Sequence, residues 1–407
     1  MDLMAYFNSL RTGDYQLDNF KSFLKHTKFS YNIPSIHVAG TNGKGSTCNY
    51  LASIYRAHGL KVGLYVSPYL NKFNEAITIN GQEISDEDIE KYIKNAEKFV
   101  KKYDLSAFEL QTYICFKYFE DQKCDIAIIE CGMGGELDAT NIFDPILSII
   151  TSISLEHTSF LGRSMSEIAL HKAGIIKQDV PVVIGQIEGD ALKVITDTAL
   201  ENESKIFTKV EPGNVSLEDD GYHFTYLTYK DLYIQSKGLY SVNDACIAIE
   251  AVHAINNKIN VTNEEICKGL KEVKMPCRMD FVRESPNILI DGAHNPEGMI
   301  CLKNAIERVL NGRNLRVVFA CFRDKNLQAM LATIGELADE LILTTFDNPR
   351  AREMDEYFLF ADDYKCMENP VEAIKYFTEN YPSDLILITG SLAFAAYCKS
   401  LFEKGAL

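Results

Sequence analysis

A short apolar stretch, Ser35-Ile36-His37-Val38-Ala39, runs without a break into Gly40-Thr41-Asn42-Gly43-Lys44-Gly45-Ser46-Thr47 and then into a segment of helical periodicity over 46–58, closed by Gly59. Strand, glycine-rich loop and helix in that order make a cradle for phosphate. The glycines let backbone N–H groups turn toward an anion, and the helix N-terminus adds its partial positive charge. Lys44 can reach the β and γ phosphates, and a hydroxyl at Ser46 or Thr47 can ligate magnesium. The spacing departs from the usual G-x-x-x-x-G-K-[ST] pattern, because Gly43 follows Gly40 closely and Gly45 stands before Ser46. No G-x-G-x-x-G follows this first strand, so a dinucleotide-binding site is not supported.

From Ile33 onward, β-branched apolar runs alternate with helical stretches, the pattern of βαβ units around a parallel sheet, and the fold class is therefore α/β. Strands are expected over 35–39, 62–66, 125–129, 146–151 and 180–184. A β-hairpin is expected over 215–236, turning at Asp219, Asp220 and Gly221, ahead of a helix over 243–256. The segment Lys274-Met275-Pro276-Cys277-Arg278 marks a domain boundary. A smaller doubly wound series follows, with strands over 288–290, 317–320, 341–344 and 385–388 and helices over 296–310 and 392–402.

A chain of 407 residues exceeds the usual size of one hydrophobic core. Its formal charge of −16 argues against a broad grip on nucleic acid or an anionic membrane. Small molecules are the expected partners, with anions held by local devices such as helix termini, magnesium and a few placed cations. No run reaches the ~18 apolar residues of a membrane span, and the first residues do not read as a secretory signal. The eleven cysteines form no C-x-x-C pair, so reduced thiols, a cytoplasmic location and no zinc site are expected.

The loop Thr41-Asn42-Gly43-Lys44-Gly45-Ser46 resembles the nucleotide loop of the Mur ligase superfamily, in particular its folylpolyglutamate synthase and dihydrofolate synthase family. Further segments resemble that family's in its order. They are Ser67-Pro68-Tyr69-Leu70, Phe73-Asn74-Glu75, Glu130-Cys131-Gly132-Met133-Gly134-Gly135, Leu137-Asp138-Ala139-Thr140-Asn141, Leu155-Glu156-His157, Lys172-Ala173-Gly174, Pro276-Cys277-Arg278 and Asp291-Gly292-Ala293-His294-Asn295-Pro296.

The resemblance implies a central P-loop ATPase domain of Mur ligase type with a parallel sheet, over 1–274, and a smaller Rossmann-like glutamate-ligase domain, over 280–407. It implies a ligase that uses ATP to turn a carboxylate into an acyl phosphate and then joins it to L-glutamate. The acceptor would be a folate, or dihydropteroate in a bifunctional enzyme. A carboxylate and an amine do not condense in water without such activation, so catalysis is positioning plus charge neutralisation.

The resemblance also distributes roles. ATP falls to the loop 40–47 with Arg278 and Asp291, and His294 serves ATP or incoming glutamate. A first magnesium falls to Ser67 and Glu130 with Ser46 or Thr47, and a second to His157. Lys172 matches a carbamylated lysine that ligates through oxygen. Pro68, Tyr69, Asp138, Ala139 and Thr140 lie on the acceptor side, and a monomer is expected.

The chain departs from the family's pattern on that side. Ala76 and Glu136 stand where arginines are usual, Glu156 replaces Asp, His171 replaces Glu and Cys277 replaces Gly. An acceptor other than an ordinary pterin is therefore a rival expectation, and a catalytically silent binding protein is another. The second would predict loss of Lys44, Glu130 or His294, and all three are present.

Overall fold

The computed structural model describes residues 2–11, 17–218, 220–360 and 362–407. The chain divides into two compact units. One comprises Met1–Ser216, His223–Ile234 and Val242–Val273, and the other Leu217–Tyr222, Gln235–Ser241 and Lys274–Leu407. The assignment of 217–222 and 235–241 to the second unit is not suggested by the sequence pattern.

The first unit is built on strands β1 (Ser35–Ala39), β2 (Val62–Tyr65), β3 (Ile77–Ile79), β4 (Gln82–Glu83), β5 (Ile126–Glu130), β6 (Leu147–Ile150), β7 (Val182–Ile184) and β8 (Ile206–Thr208). Their order in the sheet is β4-β3-β2-β5-β1-β6-β7-β8. All pairings from β2 to β8 along that order are parallel, while β3 and β4 add an antiparallel edge. β1, β2, β5, β6 and β7 are buried along their whole length, as expected where helices cover both faces. The chain leaves β1 for β2 on one side and later crosses to β6 on the other. The carboxyl ends of β2, β5, β1 and β6 therefore form a row at the switch in strand order, where α/β sheets bind ligands.

The expected hairpin is instead a three-stranded sheet of β9 (Gly213–Glu218), β10 (Gly221–Tyr226) and β11 (Tyr229–Ile234), because a second turn follows at the left-handed Leu227 (φ 51°). Asp220 and Gly221 close the first turn, and Asp219 lies outside the described residues.

The second unit carries β12 (Asp280–Glu284), β13 (Asn287–Ile290), β14 (Leu315–Phe319), β15 (Glu340–Leu343), β16 (Lys365–Cys366) and β17 (Leu385–Thr389). Their order is β12-β13-β17-β14-β15-β16, with only β12 antiparallel. Leu289 of β13, Leu315, Val317 and Phe319 of β14, and Met299 and Leu302 of the helix after β13 lie in its core.

The α/β expectation is borne out, with shifted element ends. The helix expected over 46–58 is Lys44–Ala57, so the phosphate loop feeds it directly. The strand expected over 180–184 starts at Val182, since Pro181 has no N–H for the ladder and offers only its carbonyl to Ser148. The helix expected over 243–256 is Leu239–Ala254, which brings Tyr240 and Asp244 into its first turns. Among the described residues no helix is long and apolar enough to cross a membrane, and the eleven cysteines are free thiols.

Candidate active site

The loop after β1 is laced to the exit of β6. Thr41 N–H donates to Ser152 O (2.9 Å), Asn42 N–H to Ser152 Oγ (2.9 Å), and Thr151 Oγ1 to Asn42 O (2.7 Å). Gly43 has φ +83°, and a Cβ there would fall 2.3 Å from Asp244 Oδ1, so any side chain would be strained and would displace the Asp244 carboxylate. Gly43 also stands at the N-cap of Lys44–Ala57 and offers no side chain to its first N–H groups. A helix start with no side-chain cap and no acid in its first turn is suited to an external anion.

Two lysines meet here. Lys44 Nζ folds back to donate to Gly40 O (3.0 Å) and Thr41 O (3.2 Å), and Lys172 Nζ donates to Gly40 O at 2.8 Å. Lys172 sits on the helix Met165–Ala173 and is buried. Burial first, and then the charge of Lys44, pull its pKa down to about 7. Glu156 opposes that shift, so its carboxylate acts on the same ammonium. His157 follows with a left-handed backbone (φ 50°) and its Nε2 3.8 Å from Glu156 Oε1.

Glu130 ends β5 and pairs in register with Val38 of β1. Its buried carboxylate accepts the Ser67 N–H (3.0 Å) and lies 3.3 Å from where a Cβ on Gly45 would be. Ser67 Oγ and Thr47 Oγ1 are buried hydroxyls with no hydrogen-bond partner among the described residues. A buried hydroxyl without a partner is costly unless something else takes its lone pairs. Ser46 is also buried, one residue before Thr47. Among the described residues no three His, Cys, Asp or Glu side chains gather into a metal-holding group. One carboxylate and hydroxyls fit a magnesium ion that takes its remaining ligands from phosphate and water.

In the loop after β2, where the acceptor is expected, Pro68 follows a cis Ser67–Pro68 peptide and is exposed. Tyr69 stacks edgewise on Phe73 and reaches Met4 Sδ (3.8 Å). The loop is held by Glu75, whose carboxylate accepts the N–H groups of Leu70 (2.8 Å), Asn71 (3.0 Å) and Lys72 (3.3 Å).

Asp138, Ala139 and Thr140, expected to line the acceptor site, are buried. Asp138 accepts from Met133 N (2.7 Å), Thr140 N (2.9 Å) and Thr140 Oγ1 (2.5 Å), and burial raises its pKa. Thr140 Oγ1 in turn meets His37 Nε2 at 2.8 Å, where burial drives the imidazole pKa down to about 3 and keeps it neutral. These side chains shape the loop from within and do not point out of it.

The same loop lies directly on the helix end that carries Lys172. A Cβ on Gly135 would fall 2.8 Å from the carbonyl oxygens of both His171 and Lys172, and one on Gly174 would fall 2.4 Å from Glu136 Cβ. Glu136 N–H donates to His171 O (2.7 Å), while its exposed carboxylate stands 3.8 Å from His171 Nδ1. Ala76 is buried in the apolar core with Phe73 and Ile77, so an arginine at that position would have to displace core side chains.

In the second unit, Asp291 follows β13 and is buried. It accepts from Tyr240 Oη (2.7 Å), Met279 N (2.9 Å) and Ala293 N (2.8 Å). Arg278 lies between two left-handed residues, Cys277 (φ 59°) and Met279 (φ 47°). His294 Nδ1 is 2.9 Å from Gly292 O, and Asn295 caps the helix Pro296–Val309 through Gly298 N. The roles of Tyr240 and Glu75 are not evident from sequence. Glu75 stands inside a family-like segment, whereas Tyr240 carries no local signal.

The Mur ligase middle domain matches residues 38–252, and the Mur ligase glutamate ligase domain matches residues 277–392. A dihydrofolate synthase/folylpolyglutamate synthase from Bacillus subtilis is 34% identical over 382 residues, covering 89% of each chain. A Mycobacterium tuberculosis folylpolyglutamate synthase solved with ADP and AMPPCP superimposes with a TM-score of 0.90 at 26% identity, covering 98% of this chain and 97% of that one. Escherichia coli FolC in complex with DHPP and ADP gives 0.89 at 27% identity, covering 99% and 97%.

Proposed function

The chain belongs to the Mur ligases, in their folylpolyglutamate synthase and dihydrofolate synthase family, and we propose from that premise how its own residues carry out the reaction. It is an ATP-dependent ligase that adds L-glutamate to a folate, with dihydropteroate as a further acceptor in the bifunctional case. The observation that carries the reading is the meeting of Lys44 and Lys172 on Gly40 O, beside an uncapped helix start and Glu130.

The loop 40–47 holds the ATP phosphates by backbone N–H groups, and Lys44 exchanges its two carbonyl partners for phosphate oxygens. Glu130, Ser67 and Thr47 or Ser46 would hold magnesium, and His157 a second ion. Bound magnesium would neutralise charge building on the transferred phosphoryl group. Support for this set comes from the two buried hydroxyls with no partner among the described residues.

Lys172, near half neutral at pH 7, can add its free amine to carbon dioxide and lose one proton, giving a carbamate that carries oxygen ligands. The assignment of 1–274 to ATP and 280–407 to glutamate follows the same reading. Arg278 would serve the phosphates, His294 the nucleotide or glutamate, and Asp291 the nucleotide side by holding its loop. Eleven free cysteines support a reducing cytoplasm as the workplace.

The acceptor would rest against Pro68 and Tyr69. The exposed carboxylate of Glu136 favours a second reading, in which the same ligase chemistry serves a carboxylate other than a pterin.

The test is ADP release and product mass with ATP, L-glutamate and each of dihydropteroate, monoglutamyl tetrahydrofolate and unrelated carboxylates. A mass gain of one glutamyl residue on either pteridine supports the first reading. Turnover confined to another carboxylate supports the second, and no acceptor-dependent ADP release overturns both.

A further inference from the structure

We propose that Tyr240 is a positioning residue for the ligation, fixing through Asp291 the two segments that carry Arg278 and His294. The inference rests on the functional reading above. Tyr240 Oη donates to Asp291 Oδ2 at 2.7 Å, and the same oxygen accepts Met279 N–H at 2.9 Å. The other oxygen, Oδ1, accepts Ala293 N–H at 2.8 Å. One buried carboxylate thus ties the residue after Arg278 to the residue before His294.

What it ties is backbone that needs holding. Cys277 and Met279 both adopt the left-handed region, which a residue with a side chain enters only where its surroundings impose it. Gly292 N–H reaches Cys277 O (2.9 Å), and His294 Nδ1 meets Gly292 O (2.9 Å), so both turns close around Asp291. The other two donors to this carboxylate are backbone groups that come with the turns themselves. Tyr240 is the side chain brought from elsewhere in the sequence, and its ring packs on the core of the same unit.

The ring is seated by a second feature. A Cβ on Gly238 would fall 2.7 Å from Tyr240 Cζ and 3.1 Å from its Oη. Ser241 N–H donates to Gly238 O (3.0 Å) and Gly238 N–H to Ser236 Oγ (3.2 Å), which fixes that turn beneath the ring. The ring therefore enters from one direction, with its hydroxyl aimed at Asp291. Without that hydroxyl a buried carboxylate oxygen keeps a single donor, and the Arg278 turn loses part of its restraint.

The test is steady-state kinetics of Tyr240→Phe, which keeps the ring and removes the donor, alongside Gly238→Ala, which keeps the donor and displaces the ring. Both should raise KM for ATP about tenfold and lower kcat by a similar factor, with KM for the acceptor within about twofold of wild type. The unfolding midpoint of Tyr240→Phe should stay near that of wild type. Wild-type constants in Tyr240→Phe, or a uniform loss in all constants together with a lower midpoint, would overturn the inference alone. An Asp291→Asn variant with unchanged ATP kinetics would overturn it together with the nucleotide role of this loop.

Discussion

Lys44 and Lys172 donate to the same carbonyl oxygen, that of Gly40, at 3.0 and 2.8 Å. Two ammonium groups on one acceptor repel each other, and the buried member yields its proton more readily. The pair is poised for an arriving anion, which would relieve the repulsion on both.

The pH dependence of stability follows from this pair. The folded pKa of Lys172, about 7, lies below its ordinary value of 10.5. Between those values the unfolded chain binds more protons than the folded one, so this contribution rises with pH. It is fully present above 10.5 and is lost as pH falls through about 7. Lys172→Met removes the titration, so the variant should gain on wild type as the buffer is taken from about pH 9 to 6, by a few kcal/mol. Unfolding midpoints of both proteins across that range check it, and parallel curves would contradict it.

Lys44→Ala should cost turnover roughly a hundredfold to a thousandfold, because its charge is needed where phosphoryl charge develops. The fold should survive, since the Nζ bonds of Lys44 are to carbonyls of its own loop. Removing the like charge should also raise the pKa of Lys172. The check is single-turnover kinetics beside a thermal unfolding scan.

Glu130→Gln keeps an acceptor for the Ser67 N–H while removing the negative charge. With Ser67→Ala and Thr47→Val it should shift magnesium half-saturation upward by about tenfold or more. A magnesium titration indistinguishable from wild type in all three would overturn the proposed magnesium role of these residues.

The two positions lacking arginine should behave differently when it is restored. Ala76→Arg drives a guanidinium into the core beside Phe73 and should destabilise the protein by about 3 kcal/mol or more. Glu136→Arg gives up only an exposed contact at 3.8 Å, worth about 0–1 kcal/mol. It should leave stability intact and lower KM for an anionic pteridine acceptor about tenfold. Equal effects of the two changes on stability would contradict this assignment.

The phosphate loop, the parallel sheet and the strand-end positions of Glu130 and Asp291 can be read from sequence because each rests on local pattern. Buried strands read as apolar runs, and loops that follow them carry their own glycines. The rest is decided by partners distant in the chain. The burial of Asp138 and Thr140, and their bonds to Met133 N–H and to His37, are not legible in sequence. Ala76 reads as a vacant charge position because a sequence shows the missing arginine and not the surrounding core. Tyr240 reaches Asp291 across a separation of 51 residues, where periodicity carries no information.

A side chain added at Gly135 would strike the carbonyls of His171 and Lys172, and one added at Gly174 would strike Glu136, so no room is left between the glycine-rich loop after β5 and the lysine helix. On the Gly135 side the obstacle is main chain, which no exchange of neighbouring side chains removes. Glu136 meets this seat through its N–H and holds its carboxylate outside it, so the charge at that position can be exchanged without placing a new group inside the junction.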